Sequence, residues 1–236
     1  MKIEILYPEV CCLFGDIMNA EYIANCIPGA EIIKTALGEK PAFLDGNADI
    51  AFLCSMPEYA QVLVRDEFAK YRAELDAAIG RGAVLLCTGN AQEVFFKYIE
   101  DADGTRTEML GLFDLYAKRD FMNRFNGLYL GKLGELDIVG FKSQFCHVYG
   151  NERNALFETV RGVGRNPGES AEGVRRGNLL CSAVIGPLVV LNPPFARYLL
   201  GLMGAKGASL YCEEAAMDAY TLRLREFSEP DRSFDY

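Results

Sequence analysis

The residues best suited to chemistry stand where a buried strand runs into a helix. Residues 83–87 (A-V-L-L-C) are an apolar run that predicts a strand, and Thr88, Gly89 and Asn90 predict a sharp turn into a helix. Such a turn projects one side chain and offers backbone N–H groups to an oxyanion. Cysteine suits the position because a helix N-terminus stabilises its thiolate, which makes Cys87 a candidate nucleophile. The alternative is that Cys87 simply ends a buried strand.

The elements around this junction alternate between the two kinds of periodicity. Strand-like runs fall at 2–7, 31–34, 49–54, 83–87 and 179–185, and helical patterns at 19–26, 58–79, 91–99, 194–203 and 213–227. This alternation predicts a mostly parallel sheet with helices on both faces. Ligands bind outside the carboxyl ends of the strands in such sheets, which is where residues 87–90 lie.

The second half of the chain follows a different pattern. Period-2 stretches at 127–131 and 137–144 predict antiparallel strands, and the Gly-rich segment 163–173 predicts a loop. We therefore predict an α/β fold: a three-layer, flavodoxin-like sandwich with an antiparallel edge extension. Residues 1–227 are expected to form a single domain, and the acidic tail 228–236 is expected to fray.

Charge and composition exclude several classes of function. The net charge is -9 and the pI is about 4.8, which argues against nucleic acid and anionic membrane surfaces as partners. We find neither a secretory signal peptide nor an apolar run of membrane-spanning length. Eight cysteines are scattered through apolar runs with no C-x-x-C pair, which is typical of free thiols in a reducing cytoplasm. With His147 as the single histidine, no metal site and no cofactor are predicted.

Six segments carry a resemblance to a known family, in the same order along the chain. They are 6–19 (L-Y-P-E-V-C-C-L-F-G-D-I-M-N), 52–61 (F-L-C-S-M-P-E-Y-A-Q), 85–98 (L-L-C-T-G-N-A-Q-E-V-F-F-K-Y), 123–127 (N-R-F-N-G), 139–141 (V-G-F) and 172–187 (E-G-V-R-R-G-N-L-L-C-S-A-V-I-G-P). These segments resemble the CobB/CobQ-like class I glutamine amidotransferases. Within that family they are most similar to the glutaminase subunits of lipid II isoglutaminyl synthases. The resemblance implies the fold predicted above.

The resemblance also implies a reaction, the release of ammonia from glutamine. In that family a cysteine at the elbow attacks the carboxamide, a histidine acts as base, and backbone N–H groups hold the oxyanion. Without a gap, the nucleophile position falls on Thr88, and placing Cys87 there needs a slip of one residue. Ile185 stands at the family's histidine position, and His147 lies in a different segment. Cys54, Ser55 and Met56 replace the glycines of the oxyanion segment.

Other positions of the family's site are retained in part. Arg124 matches an arginine associated with glutamine binding, Glu58 stands where the family has Asp, and Gln92 and Gly89 belong to the elbow. Asp16 and Asn19, in the first loop, are interpreted as turn or helix-capping residues.

Three functional hypotheses follow. In the first, the chain is a non-catalytic subunit that binds glutamine or an amino-acid-like ligand and, by resemblance, a Mur-ligase-like ATP-dependent synthetase. In the second, it is an active glutamine amidotransferase that supplies ammonia through Cys87, with His147 recruited as base. In the third, it is an enzyme with a different reaction in the old pocket, marked by a perturbed acid such as Glu58 beside Arg124.

Overall fold

The computed structural model describes residues 1–234 and is built around a six-stranded sheet. The strands are β1 (Lys2–Leu6), β2 (Glu31–Thr35), β3 (Ile50–Leu53), β4 (Val84–Thr88), β5 (Tyr98–Asp101), β6 (Arg106–Glu108), β7 (Leu115–Arg119), β8 (Phe125–Leu133), β9 (Leu136–Gln144), β10 (Cys146–Gly150), β11 (Phe157–Arg161), β12 (Ala171–Glu172), β13 (Val174–Arg176) and β14 (Leu179–Ser182). The helices are α1 (Met18–Asn25), α2 (Glu58–Ala69), α3 (Arg72–Gly80), α4 (Leu188–Leu191), α5 (Pro193–Leu202) and α6 (Glu213–Ser228). Three short 3-10 helices cover Leu13–Gly15, Ala42–Asp45 and Gly89–Phe95.

The central sheet has the strand order β13-β14-β4-β3-β1-β2. All neighbouring strands are parallel except β13, which runs antiparallel to β14 at the edge. Every residue of β3, β4 and β14 is buried, as expected for parallel strands covered on both faces. The predicted α/β fold with a mostly parallel sheet is confirmed.

Two predicted helices differ from the observed elements. The helix expected over 58–79 is broken at Tyr71, whose φ of -122° and ψ of 33° lie outside the helical region. The break allows the Arg72 side chain to donate to the carbonyl of Leu110. The helix expected over 91–99 is a 3-10 helix that ends at Phe95, followed by β5. The carbonyls of residues 94–96 accept hydrogen bonds from residues 110–113, which draws the chain out of the helix.

Two further four-stranded sheets form the extension beyond the central sheet. One has the order β12-β11-β8-β9, with β8 and β9 paired antiparallel along nine residues, as predicted. The other has the order β10-β7-β5-β6 and contains one parallel pair, β5 with β7. The loop predicted over 163–173 contains the short strand β12, which pairs with β11.

The C-terminal tail is packed against the extension as far as residue 234, so the prediction that it frays is wrong there. Phe234 is buried beside the ring of Phe227, and its carbonyl accepts a hydrogen bond from the Leu128 N–H at 2.7 Å. The Arg161 guanidinium stacks over Phe234 and donates to backbone carbonyls of the tail. Residues 235 and 236 of the predicted tail lie outside the described part. No helix within residues 1–234 combines the length and apolarity needed to cross a membrane.

Candidate active site

The predicted elbow follows β4, and the sharp turn falls at Gly89, one residue after Thr88 and two after Cys87. Thr88 is still extended, with φ -117° and ψ 151°, and pairs in register with Ser182 of β14. Gly89 takes the left-handed conformation, with φ +59°. Since only glycine adopts this conformation without strain, the residue at the centre of the turn has no side chain to offer.

Cys87 lies inside the sheet rather than at its carboxyl edge. It is fully buried and pairs in register with Leu53 of β3 and Cys181 of β14. Burial, together with the neighbouring Cys181 thiol, raises the pKa of the Cys87 thiol well above its usual value. The thiol therefore stays protonated near neutral pH, where a nucleophile needs the thiolate.

Thr88 is held in a buried hydrogen-bonded cluster with Asp16 and Ser55. Both hydroxyls donate to the same carboxylate oxygen, Asp16 Oδ2, each at 2.6 Å. Burial raises the pKa of Asp16, although these two hydrogen bonds act in the opposite direction. Its second oxygen, Oδ1, is buried with no hydrogen-bond partner among residues 1–234. The cluster ties together the loop after β1 and the ends of β3 and β4.

Asp16 and Asn19 therefore have different roles from the capping predicted for them. Helix α1 has no side-chain cap, and its N-cap residue is Ile17. Asn19 Oδ1 accepts a hydrogen bond from the N–H of Val189 at 2.7 Å, which joins α1 to α4. Both side chains are fully buried.

The space above Gly89 is filled by Ser55 and Ile185, two positions that the sequence resemblance assigns to the family's site. A Cβ atom on Gly89 would lie 3.0 Å from Ser55 Cβ and 3.3 Å from Ile185 Cγ2, and closer still to Ser55 Oγ. Ile185 is buried and forms an antiparallel bridge with Phe141 of β9. An apolar side chain that is fixed in this way offers no base at the position to which the resemblance assigns the family's histidine.

Asn90 occupies the backbone groups of Met56, which the resemblance assigns to the oxyanion segment. Its Oδ1 accepts a hydrogen bond from the Met56 N–H at 3.0 Å, and its Nδ2 donates to the Met56 carbonyl at 2.6 Å. The Met56 N–H is thus already satisfied by a carboxamide of the chain itself. Preorganised N–H donors stabilise an oxyanion only when they point at it without another partner.

A cavity of about 240 Å³ opens beside the elbow. Its walls come from the loop after β1, the β3–α2 junction, the elbow and the β9–β10 region; they are Leu13, Phe14, Met56, Pro57, Glu58, Gly89, Asn90, Glu93, Arg124, Ser143, Gln144, Phe145 and Cys146. We call this cavity the elbow pocket. It brings together three of the predicted ligand-binding residues, Glu58, Gly89 and Arg124.

Arg124 is exposed and stacks on an aromatic ring rather than pairing with a carboxylate. Its guanidinium carbon lies 4.9 Å from the centre of the Phe145 ring. No ion pair to Arg124 or to Glu58 is found within the described chain. Both charges are therefore available to a ligand in the elbow pocket.

Glu93 is an ionisable residue of this pocket that the sequence predictions missed. It is buried in the 3-10 helix after the elbow, and burial raises its pKa to about 7. Gln61 donates to its Oε2 at 2.8 Å, and the Cys146 thiol lies 3.3 Å from the same oxygen. The sequence signal that could have identified Glu93 is a single acidic residue within the mostly apolar run A-Q-E-V-F-F.

The remaining two predicted residues lie away from the elbow pocket. Gln92 is buried behind the elbow and does not line the cavity, and its Oε1 has no partner within residues 1–234. His147, on β10, lines a separate cavity of about 420 Å³ with Arg119 and Asp120. Burial and the Lys142 charge lower the pKa of His147. The structure does not bring it to Cys87, which is in another sheet. No cluster of three or more metal-ligating side chains occurs in the described chain.

The fold is shared with solved glutamine amidotransferases. One solved structure, a glutamine amidotransferase, superimposes with a TM-score of 0.55 at 14% identity, covering 85% of this chain and 98% of that one. The glutaminase domain of Trypanosoma brucei CTPS with bound acivicin gives a TM-score of 0.53 at 10% identity, covering 89% and 96%. This chain therefore has the glutamine amidotransferase fold, as its resemblance implied. No protein-family model matches it.

Two curated relatives make the similarity more specific. The glutamine-hydrolysing lipid II isoglutaminyl synthase subunit GatD of Streptococcus pneumoniae is 25% identical over 206 residues, covering 85% of this chain and 79% of the relative. GatD of Staphylococcus aureus is 31% identical over 157 residues, covering 65% of this chain and 63% of the relative, which is less than two thirds of its length. The predicted resemblance of this chain to glutamine amidotransferases, and to this subunit in particular, is confirmed.

Proposed function

We propose that this chain is a glutamine amidotransferase-like subunit of a lipid II amidation system that no longer hydrolyses glutamine. The observation that carries the proposal is the blocked elbow. The turn residue is Gly89, and Ser55 and Ile185 occupy the space that any side chain on it would need. Covalent hydrolysis of a carboxamide requires a nucleophile with an adjacent base, and neither is available at this turn.

The two neighbouring residues do not offer a substitute. The Cys87 thiol faces the sheet core and is kept neutral by burial. The Thr88 hydroxyl donates to Asp16, whose carboxylate is shared with Ser55. The Thr88 hydroxyl is buried and does not line the elbow pocket, so a carboxamide in that pocket would not reach it. The geometry therefore gives no support to the alternative of an active amidotransferase that uses Cys87.

We infer that the elbow pocket retains a binding role and that the chain works with a partner. The relatives are named as subunits, and by resemblance the partner is a Mur-ligase-like synthetase. Large apolar side chains are exposed at and near the pocket: Phe14 (39% exposed) lines it, Phe121 (54%) packs on Phe145 of its wall, and Met122 (89%) precedes Arg124 by two residues. Exposed apolar groups around a site are typical of a protein–protein interface. The eight unpaired cysteines fit a cytoplasmic location.

The decisive experiment measures ammonia and glutamate release from glutamine, with the chain alone and together with a co-purified synthetase. Wild type is compared with Cys87→Ala and Thr88→Ala, and Cys181→Ala serves as the matched control because it removes a neighbouring core thiol. We expect no release above the no-protein background in any sample. Release by wild type that is lost in Cys87→Ala but kept in Cys181→Ala would overturn the proposal.

The partner role is tested by introducing a charge at the pocket wall or in the turn that precedes Arg124. Phe14→Asp and Met122→Asp should each weaken co-purification with the synthetase. Leu222→Asp changes a similarly exposed leucine (48% exposed) on α6 and should leave co-purification intact. Equal effects of all three variants, or no effect of the first two, would show that this face does not bind the partner.

A further inference from the structure

The elbow pocket contains three charged or ionisable side chains that do not pair with one another. Arg124, Glu58 and Glu93 all line the cavity, and no ion pair within the described chain involves any of them. Other charged residues in the structure are commonly paired; Lys142, for example, lies 2.5 Å from Glu172 although both are fully buried. Unpaired charges of both signs that line one small cavity indicate a ligand with charges of its own.

Glu93 is the most informative of the three. It is 3% exposed, yet it lines the pocket. Both of its hydrogen-bond donors, Gln61 and Cys146, point at Oε2. Its other oxygen, Oε1, has no hydrogen-bond donor within residues 1–234 and remains accessible to solvent. A carboxylate buried in this way is costly unless a cation or strong donor pairs with it.

The size and charge of the pocket narrow the class of ligand. Its volume of about 240 Å³ is below the range of roughly 300–1,000 Å³ that is usual for drug-sized molecules, so it suits a single small metabolite. Two carboxyl groups face one guanidinium, which leaves an excess of negative charge when Glu93 is ionised. A zwitterion satisfies only one carboxylate and the arginine. A second positive group on the ligand would satisfy the other carboxylate.

We propose that the elbow pocket binds an α-amino acid with a cationic side chain, such as lysine, ornithine or arginine. The ligand carboxylate pairs with Arg124 through its planar fork, the α-ammonium group pairs with Glu58, and the side-chain cation reaches Glu93. This inference rests on the proposed function, because it takes the pocket as a binding site without hydrolysis. It extends that function by assigning a class of ligand that differs from glutamine in charge.

The groups that surround Glu93 set its response to pH. Burial raises its pKa most, hydrogen bonds from Gln61 on α2 and Cys146 on β10 lower it, the Arg119 charge on β7 lowers it, and Glu58 raises it. The resulting pKa of about 7 means that Glu93 gains its charge near neutral pH. A cationic ligand needs the ionised form, so its affinity should rise with pH. A neutral carboxamide accepts a hydrogen bond from the protonated form, so the affinity for glutamine should fall.

The test is calorimetric titration of the whole chain with lysine, ornithine, arginine and glutamine at about pH 6 and about pH 8. We expect the cationic ligands to bind about tenfold more weakly at the lower pH, because the ionised fraction of Glu93 is about tenfold smaller there. Glu93→Gln should weaken lysine binding by about tenfold or more and remove its pH dependence. Glu214→Gln, an equal charge change on the exposed face of α6, is the matched control and should bind like wild type.

Because Glu93 also accepts hydrogen bonds from within the fold, thermal melting of each variant checks that it remains folded, and Arg124→Gln provides a second variant at the rim. Tighter binding of glutamine than of lysine at about pH 8, lysine binding that strengthens toward low pH, or unchanged lysine affinity in Glu93→Gln and Arg124→Gln would each overturn the inference. No binding of any cationic amino acid would overturn it as well. Glutamine hydrolysis, measured separately, is the result that would overturn the proposed function instead.

Discussion

Replacing Gly89 with alanine tests the blocked elbow directly. The φ of +59° at this position costs a residue with a Cβ about 1–2 kcal/mol. The new methyl group would also meet Ser55 Cβ at 3.0 Å and Ile185 Cγ2 at 3.3 Å, and overpacking of this kind costs about 1–3 kcal/mol. The Ser55 hydroxyl cannot rotate away without losing its 2.6 Å hydrogen bond to Asp16. We therefore expect Gly89→Ala to lower the free energy of unfolding by about 2–5 kcal/mol.

A second glycine separates the two contributions. Gly46 also has a positive φ, +75°, but a Cβ built on it meets no atom within 4 Å. Gly46→Ala should therefore cost only the backbone part, about 1–2 kcal/mol. Urea denaturation followed by circular dichroism gives both values from midpoints and slopes. The difference between the two variants measures how tightly Ser55 and Ile185 fill the elbow.

A double-mutant cycle then identifies the cause of the clash. Ser55→Gly removes the nearer neighbour, so Gly89→Ala should cost less in that background, by about 1–2 kcal/mol. Equal losses for Gly89→Ala and Gly46→Ala, or a cycle with no coupling, would refute the conclusion that this turn has no room for a side chain. The blocked-elbow argument for lost hydrolysis would then fail with it.

Three other predictions concern buried ionisable groups and thiols. Lys142→Met should lower the free energy of unfolding by about 3–5 kcal/mol, because Glu172 is left as a buried charge without its partner. The free energy of unfolding should fall by up to about 3 kcal/mol as pH rises from 4.5 to about 7, since Glu93 binds its proton more tightly in the folded state. A thiol reagent should modify only Cys12 and Cys212 rapidly in the native protein, because the other cysteines are buried.

Each of these predictions has a control. Lys132→Met breaks the exposed pair with Asp137 and should cost less than about 1 kcal/mol, so an equal loss in Lys142→Met would contradict the first. Glu93→Gln should flatten the pH dependence of unfolding, and an unchanged slope would contradict the second. Rapid modification of more than two thiols in the native protein would contradict the third.

Five of the six strands of the central sheet were predictable because they are short, apolar runs between helical patterns. The run D-I-A-F-L-C, for example, contains β3 (Ile50–Leu53), offset by one residue at either end. The break at Tyr71 was not predictable, since an apolar face continues across it and the break depends on contacts with residues far along the chain. The end of β5 and the course of the tail likewise depend on partners distant in sequence.

Strand β4 ends one residue later than the sequence pattern predicts. Periodicity places the elbow after residues 83–87, but the number of residues that remain extended depends on pairing, and Thr88 is kept in the strand by Ser182. A shift of one residue decides which side chain faces the pocket. The loop residue Asp16 looked like a helix cap because aspartate often has that role, yet it binds two hydroxyls that come from other strands.

The cluster around Asp16 has a consequence for how such a chain can change over evolutionary time. One carboxylate holds the hydroxyls of Ser55 and Thr88, so substituting either residue alone removes a donor from a buried acceptor. A cysteine introduced at position 88 would gain no histidine base, because the residue beside the neighbouring Gly89 is the apolar Ile185, and it would replace a hydroxyl by a weaker donor. Each single step toward a working elbow therefore loses stability before it gains chemistry. Substitutions at Asp16, Ser55 and Thr88 are therefore coupled to one another. The present cluster is easier to keep than to convert back into a catalytic elbow.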